Sequence, residues 1–193
     1  MIFGIGLSKT GTTSLFAALA ELGFRAGTFR HLQDLGLEDW FAGKFEKDYL
    51  TTYDAVTDLP LAAFYPQLDK RYPESKFILT IRDMDSWLES ARQHFSREPK
   101  STFARDARLA TYGVTRFNES RFRYVYETHF RNVTWYFKDR PNVLLILDII
   151  GGEGWEQLCP FLDRDMRFRP FPHVKPGHRL LEEDSPSRDS ESS

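Results

Sequence analysis

Lys9 lies in a run of small and hydroxylated residues, Gly6-Leu7-Ser8-Lys9-Thr10-Gly11-Thr12-Thr13-Ser14. The apolar stretch Met1-Ile2-Phe3-Gly4-Ile5 precedes it and reads as a short buried strand, and Leu15 to Leu22 follows with helical character. A strand, a glycine-bearing turn and a helix N-terminus make a phosphate cradle. The turn and first-turn N–H groups converge on one spot, and the helix dipole favours an anion there. The ATP-type loop G-x-x-x-x-G-K-[ST] carries its lysine directly after the second glycine. Here Thr12 holds that position, and Lys9 stands two residues before Gly11. The loop suits a phosphate-bearing ligand but departs from the ATP/Mg²⁺ pattern.

Lys9-Thr10-Gly11-Thr12-Thr13 resembles the 5′-phosphosulfate loop of sulfotransferases that use 3′-phosphoadenosine-5′-phosphosulfate (PAPS) and release PAP. A second motif agrees with it. Lys76 to Asp83 reads as a strand ending in Arg-Asp, with Ser90 eight residues after Arg82. In that family a strand-terminal Arg and a Ser at this spacing hold the 3′-phosphate, which implies that role for Arg82 and Ser90. Met84 stands where the family often has proline; a proline there mainly sets φ, so no ligand contact is lost. Pro170-Phe171-Pro172-His173-Val174 resembles the closing segment of one branch of the family. Lys175 follows it with no assigned role.

The resemblance implies sulfuryl transfer. A cation at the bridging oxygen stabilises the charge that grows there as the S–O bond breaks, and Lys9 is the candidate; it also suits a cofactor-binding counter-charge to the phosphate or a solvated loop lysine. Ser8, Thr10, Gly11, Thr12, Thr13 and Ser14 are candidates to bind the 5′-phosphate through N–H and hydroxyl groups. The hydroxyls also suit N-capping of the first helix. An acceptor hydroxyl benefits from a general base. Asp58 qualifies at the end of a predicted strand, and it equally suits capping the helix that opens at Pro60. His31 is the second candidate, since imidazole titrates near neutrality; Glu46 and His129 come after it. Arg82 has an alternative too, pairing with Asp83, Asp85 or Glu89. No cluster with metal-ligand spacing stands out, so no metal is expected.

These groups need a scaffold. Strand and helix patterns alternate: strands near residues 1–5, 24–27, 53–58, 76–82 and 143–148, helices over 12–22, 61–71, 85–95, 119–138 and within 151–162. That order predicts an α/β fold, a three-layer P-loop-like arrangement with a central parallel sheet flanked by helices. Ligands then bind at the carboxyl ends of the strands, where Gly6–Ser14, Asp58, Arg82 and Asp148 all fall. Residues 96–118 read as the least regular part, with a loop over Tyr112 to Arg116. Val143 to Asp148 reads as a buried strand. Phe122, Tyr126, Phe130, Val133 and Phe137 form a helical stripe expected to face the core.

The chain has 193 residues, seventeen of them Phe, and a formal net charge of −2. That length supports one domain, expected over 1–178, with an acidic, serine-rich tail over 179–193 expected to be disordered. Near-neutral charge argues against a nucleic-acid partner. The one cysteine, Cys159, excludes an intrachain disulfide and reads as a buried small hydrophobe. No signal peptide or membrane span is read, so a cytoplasmic location is expected. Phe29, Trp40, Phe41, Phe45, Phe103, Tyr112 and Phe117 point to a small-molecule or sugar acceptor, walled by 28–50 and 96–118. Two other classes stay open. One is a P-loop small-molecule kinase, which needs a lysine after the second glycine and a carboxylate for Mg²⁺. The other is a non-catalytic nucleotide-binding protein.

Overall fold

The computed structural model describes residues 1–28, 37–41 and 50–174. Strands and helices alternate along it: β1 (Ile2–Gly4), α1 (Thr12–Glu21), β2 (Ala26–Gly27), α2 (Leu37–Phe41), β3 (Ala55–Thr57), α3 (Leu61–Arg71) and β4 (Lys76–Thr80). Then come α4 (Met84–His94), α5 (Thr102–Tyr112), α6 (Glu119–Tyr136), β5 (Leu144–Leu147) and α7 (Trp155–Phe161). The strands form one parallel sheet in the order β2-β3-β1-β4-β5. This is the expected α/β architecture with a central parallel sheet.

Side chains alternate across a strand, and that period sorts the core into two layers. Phe3, Val56, Phe77 and Leu79 point to one face, where they meet Trp87, Phe95, Phe122 and Phe137 of the α4–α6 side. Ile2, Ala55 and Ile78 point to the other, against Leu15, Ala18 and Leu19 of α1 and Trp155, Leu158 and Cys159 of α7. Cys159 is buried, as expected.

The order of strands reverses at β1. From β1 the chain builds towards β2 and β3, and β4 then starts the other half of the sheet. The loops after β1 and β4 therefore leave neighbouring strands in opposite directions and open a crevice between them, the usual ligand position of such sheets. Their close approach needs a glycine: a Cβ on Gly6 would stand 1.9 Å from Thr80 Oγ1.

Three expectations are corrected. Residues 96–118 contain a full helix, α5. Ser101 caps it by accepting the Ala104 N–H at 3.1 Å, and Gly113 closes it at φ 71°. Tyr112 is the last helical residue and not part of a loop. Strand β5 is not a buried strand; among the described residues it pairs only with β4, at the edge of the sheet, and Ile146 is 37 % exposed. The α6 stripe is core at Phe122, Val133 and Phe137, but Phe130 is 39 % exposed and Tyr126 is half-buried. His31, Glu46, Lys175 and the acidic tail lie outside the described residues. No described helix is long and apolar enough to cross a membrane.

Candidate active site

The loop after β1 delivers a helix N-terminus with open donors. Gly11 is the N-cap of α1 at φ 104°, a backbone setting that favours glycine. No side chain caps this helix, so its first-turn N–H groups have no intrahelical acceptor. That disposes of the capping reading for the loop hydroxyls. Thr10 Oγ1 instead donates to the Leu7 carbonyl and meets Thr80 Oγ1, each at 2.6 Å. Ser14 Oγ accepts the Val174 N–H at 3.2 Å. Thr12 is buried and Thr13 is exposed.

Lys9 adopts φ 77° within this loop. Burial holds its pKa below the ordinary lysine value, and the charge of Arg82 lowers it further while Asp58 acts the other way. Arg82 arrives from the end of β4. Its Nη1 donates to the Lys9 carbonyl at 3.3 Å and its Nε to Ser86 Oγ at 2.6 Å. Tyr126 Oη brackets the arginine backbone, accepting its N–H at 2.9 Å and donating to its carbonyl at 2.5 Å. The acidic partners considered for Arg82 are engaged elsewhere. Asp83 caps α4 through the Ser86 N–H, Asp85 faces Arg123, and Glu89 faces Arg92. Among the described residues, neither Lys9 nor Arg82 has a carboxylate within ion-pair distance.

Ser90 lies half-buried on α4, one turn beyond Ser86. The structure gives the Arg82 side chain to Ser86 and not to Ser90. Residues four apart share a helix face, so both serines border the same side of the site.

Asp58 follows β3 at φ 83°. The N-cap of α3 is Pro60, with no side-chain hydrogen bond, so Asp58 does not cap that helix. Its Oδ1 accepts from Ser8 Oγ at 3.4 Å. Burial raises the Asp58 pKa above the ordinary carboxylate range; the Leu59 N–H, Ser8 and Lys9 only partly offset this. Ser8 itself is fully occupied. Its N–H goes to Tyr112 Oη at 3.1 Å and its carbonyl accepts from Trp87 Nε1 at 2.9 Å. Sequence reading placed Ser8 among the phosphate donors; the fold turns its backbone groups into the protein.

His129 is half-buried, with Nε2 bonded to the Ile5 carbonyl at 2.8 Å, so it supports the end of β1. Sequence reading passed over His94. This last residue of α4 reaches solvent and packs edge-on to Phe95 at 4.7 Å. The protein around its ring, then the charges of Lys9 and Arg108, hold its pKa down to about 4. Ser86, Trp87 and Tyr126 were also missed as site residues, and Tyr112 was read as part of the acceptor wall rather than as a partner of the loop. The spacing Arg82–Ser86–Ser90 was a readable signal for the first; the other three bond across long sequence separations.

The fold is an α/β one with a central parallel sheet, and its β1 and β4 loops bring the two cations Lys9 and Arg82 together. The sulfotransferase domain family model matches residues 1–180, and the chain belongs to that family, which makes it a sulfotransferase-type transferase. It is similar to Ava biosynthesis cluster protein M of Aspergillus versicolor, 29 % identical over 209 residues, which cover 88 % of this chain and 78 % of that protein. It also resembles the crystal structure of a sulfotransferase from Alicyclobacillus acidocaldarius. The TM-score is 0.56 at 16 % identity, covering 91 % of this chain and 86 % of that one; this likeness shows the fold.

Proposed function

We propose that the protein moves a sulfuryl group from PAPS to a hydroxyl or amine of a small-molecule or carbohydrate acceptor. The observation that carries this reading is the Lys9–Arg82 pair. Two cations without carboxylate partners are tied together at an uncapped helix N-terminus. Burying like charges side by side is unfavourable unless an anion joins them, and a nucleotide with both 5′- and 3′-phosphates supplies two. Family membership favours the same donor, and Thr12 at the kinase lysine position speaks against the ATP reading.

In this mechanism the N–H groups of Gly11 to Ser14 hold the 5′-phosphate. Arg82, oriented by Ser86 and with Ser90 on the next turn, holds the 3′-phosphate. The acceptor oxygen forms its bond to sulfur as the bond from sulfur to the 5′-phosphate oxygen breaks. The electron pair stays on that phosphate oxygen, and Lys9 meets the charge there. Asp58 takes the acceptor proton and passes it to solvent. Its raised pKa makes it a stronger base than a surface carboxylate, while Lys9 nearby keeps the ionised form accessible.

Isothermal titration in EDTA tests the donor. PAP is expected to bind without metal and more tightly than ATP. Tight, Mg²⁺-dependent ATP binding with no PAP binding would replace this reading with the kinase.

A further inference from the structure

The residue before Lys9 is gripped from three sides. Ser8 N–H donates to Tyr112 Oη at the end of α5, at 3.1 Å. Ser8 C=O accepts from Trp87 Nε1 on α4, at 2.9 Å. Ser8 Oγ donates to Asp58 after β3, at 3.4 Å. Both aromatic anchors are fully buried and rigidly packed. Tyr112 stacks on Phe122 with centroids 4.5 Å apart and planes 4° from parallel, and Trp87 lies 4.7 Å from Tyr126.

These bonds serve no ligand. They use up the N–H and the C=O of Ser8 and so fix the two peptides that flank it: Tyr112 holds Leu7–Ser8 and Trp87 holds Ser8–Lys9. The next residue, Lys9, has φ 77°. A side chain in that region is strained by its Cβ, and such a conformation persists only where its surroundings over-determine it. Ser8 supplies that constraint. With the Tyr112 hydroxyl removed, the buried Ser8 N–H has no acceptor, and the loop gains by rotating Lys9 out of the left-handed region.

We infer that Tyr112 and Trp87 are positioning residues for sulfuryl transfer, acting through Lys9: they lock the peptides on both sides of Ser8 so that the lysine side chain enters the site. The inference rests on the sulfotransferase reading. It separates two jobs within one loop. The residues after Lys9 bind phosphate through α1, and the residue before it aims the cation that meets the leaving oxygen.

The test is a double-mutant cycle between Tyr112→Phe and Lys9→Ala. The readout is PAP formed from PAPS, with 2-naphthol or with water as acceptor. Water suffices because Lys9 acts on the donor's leaving oxygen whichever oxygen attacks. Tyr112→Phe is expected to slow PAP formation about tenfold or more, the scale of a small misplacement of a reacting group, while PAP affinity is retained. In the Lys9→Ala background the same change is expected to have little further effect, because neighbours acting as a unit are not additive. Additive losses, or equal losses of rate and PAP affinity, would overturn the role. Amide exchange of ligand-free wild type gives a check independent of how the variants fold: the Ser8 N–H is expected to exchange as slowly as sheet amides, and rapid exchange would remove the clamp. A wild type that neither binds PAP nor forms it from PAPS overturns the sulfotransferase reading and the clamp's catalytic role together. An active wild type with additive variants overturns the clamp alone.

Discussion

Arg82 Nη1 reaches across the sheet to the carbonyl of Lys9 at 3.3 Å. This bond joins two segments 73 residues apart and ties the Arg82 side chain to the backbone of Lys9. It also explains why the Lys9 pKa is lowered with Arg82 as the second cause after burial.

Lys9→Ala is expected to lower turnover far more than PAP affinity. Removing one donor that acts at the transition state typically costs about 3 kcal/mol, or ~10²-fold in rate. The product lacks the breaking S–O bond, so PAP binding samples little of this contribution. Single-turnover rates set beside titration of PAP check the prediction. Equal losses in both would make Lys9 a plain counter-charge.

Arg82→Ala is expected to erase most of the preference for PAP over ADP. A charge-assisted hydrogen bond contributes roughly 1.5–3 kcal/mol, so the ratio of the two affinities should fall by about 10- to 100-fold. Ser86→Ala should do the same to a smaller degree, since Ser86 Oγ takes the Arg82 Nε–H at 2.6 Å. Competition binding with both nucleotides measures it, and an unchanged ratio takes Arg82 out of the nucleotide site.

Asp58→Asn is expected to cut sulfuryl transfer by about 10²–10⁴-fold, the usual range for general-base catalysis, with PAP affinity kept. Its effect on stability has a definite sign. The folded pKa of Asp58 is raised by burial, so the ionised form is disfavoured in the native state. That penalty is absent below the unfolded carboxylate pKa, where both states are protonated, and is fully present once pH exceeds the folded pKa. Asp58→Asn should therefore melt no lower than wild type at neutral pH, and any gain should vanish in acid. Melting curves across pH, run beside rates on an acceptor whose hydroxyl is protonated, test both halves. Near wild-type turnover would pass the base role to another group.

His94 is expected to titrate at about 4 in the ligand-free protein and to move upward when PAP binds. The nucleotide's negative charge offsets Lys9, the second cause of the depression after burial. Because the folded pKa is depressed, the stability contribution is present above the unfolded histidine pKa and lost as pH falls through about 4. Imidazole NMR titration with and without PAP reads the shift directly. A His94 that titrates at the ordinary histidine value, or that ignores PAP, would place it away from Lys9.

Much of the scaffold was legible in the residue order because its signals are local. Gly11 before a run of good helix formers, Pro60 ahead of α3, and apolar stretches at strand length each act within a few residues. Alternation of those elements then requires a parallel sheet whose carboxyl edge gathers the loop of Lys9, the turn of Asp58 and the end of β4. The phosphate loop and the Arg82–Ser90 spacing were readable for the same reason. Other features were decided only in three dimensions. Asp58 suits both a base and a helix cap by type; the turn that makes Pro60 the N-cap and brings the Asp58 carboxylate to Ser8 Oγ removes the cap. β5 is as apolar as a central strand, and its half-exposed state follows from having a single neighbour among the described residues. Ser8 looked like a phosphate donor by proximity to Lys9. Its N–H is instead taken by Tyr112, 104 residues away, because a backbone group bonds whichever acceptor the packing brings within 3 Å, and no local pattern encodes that meeting.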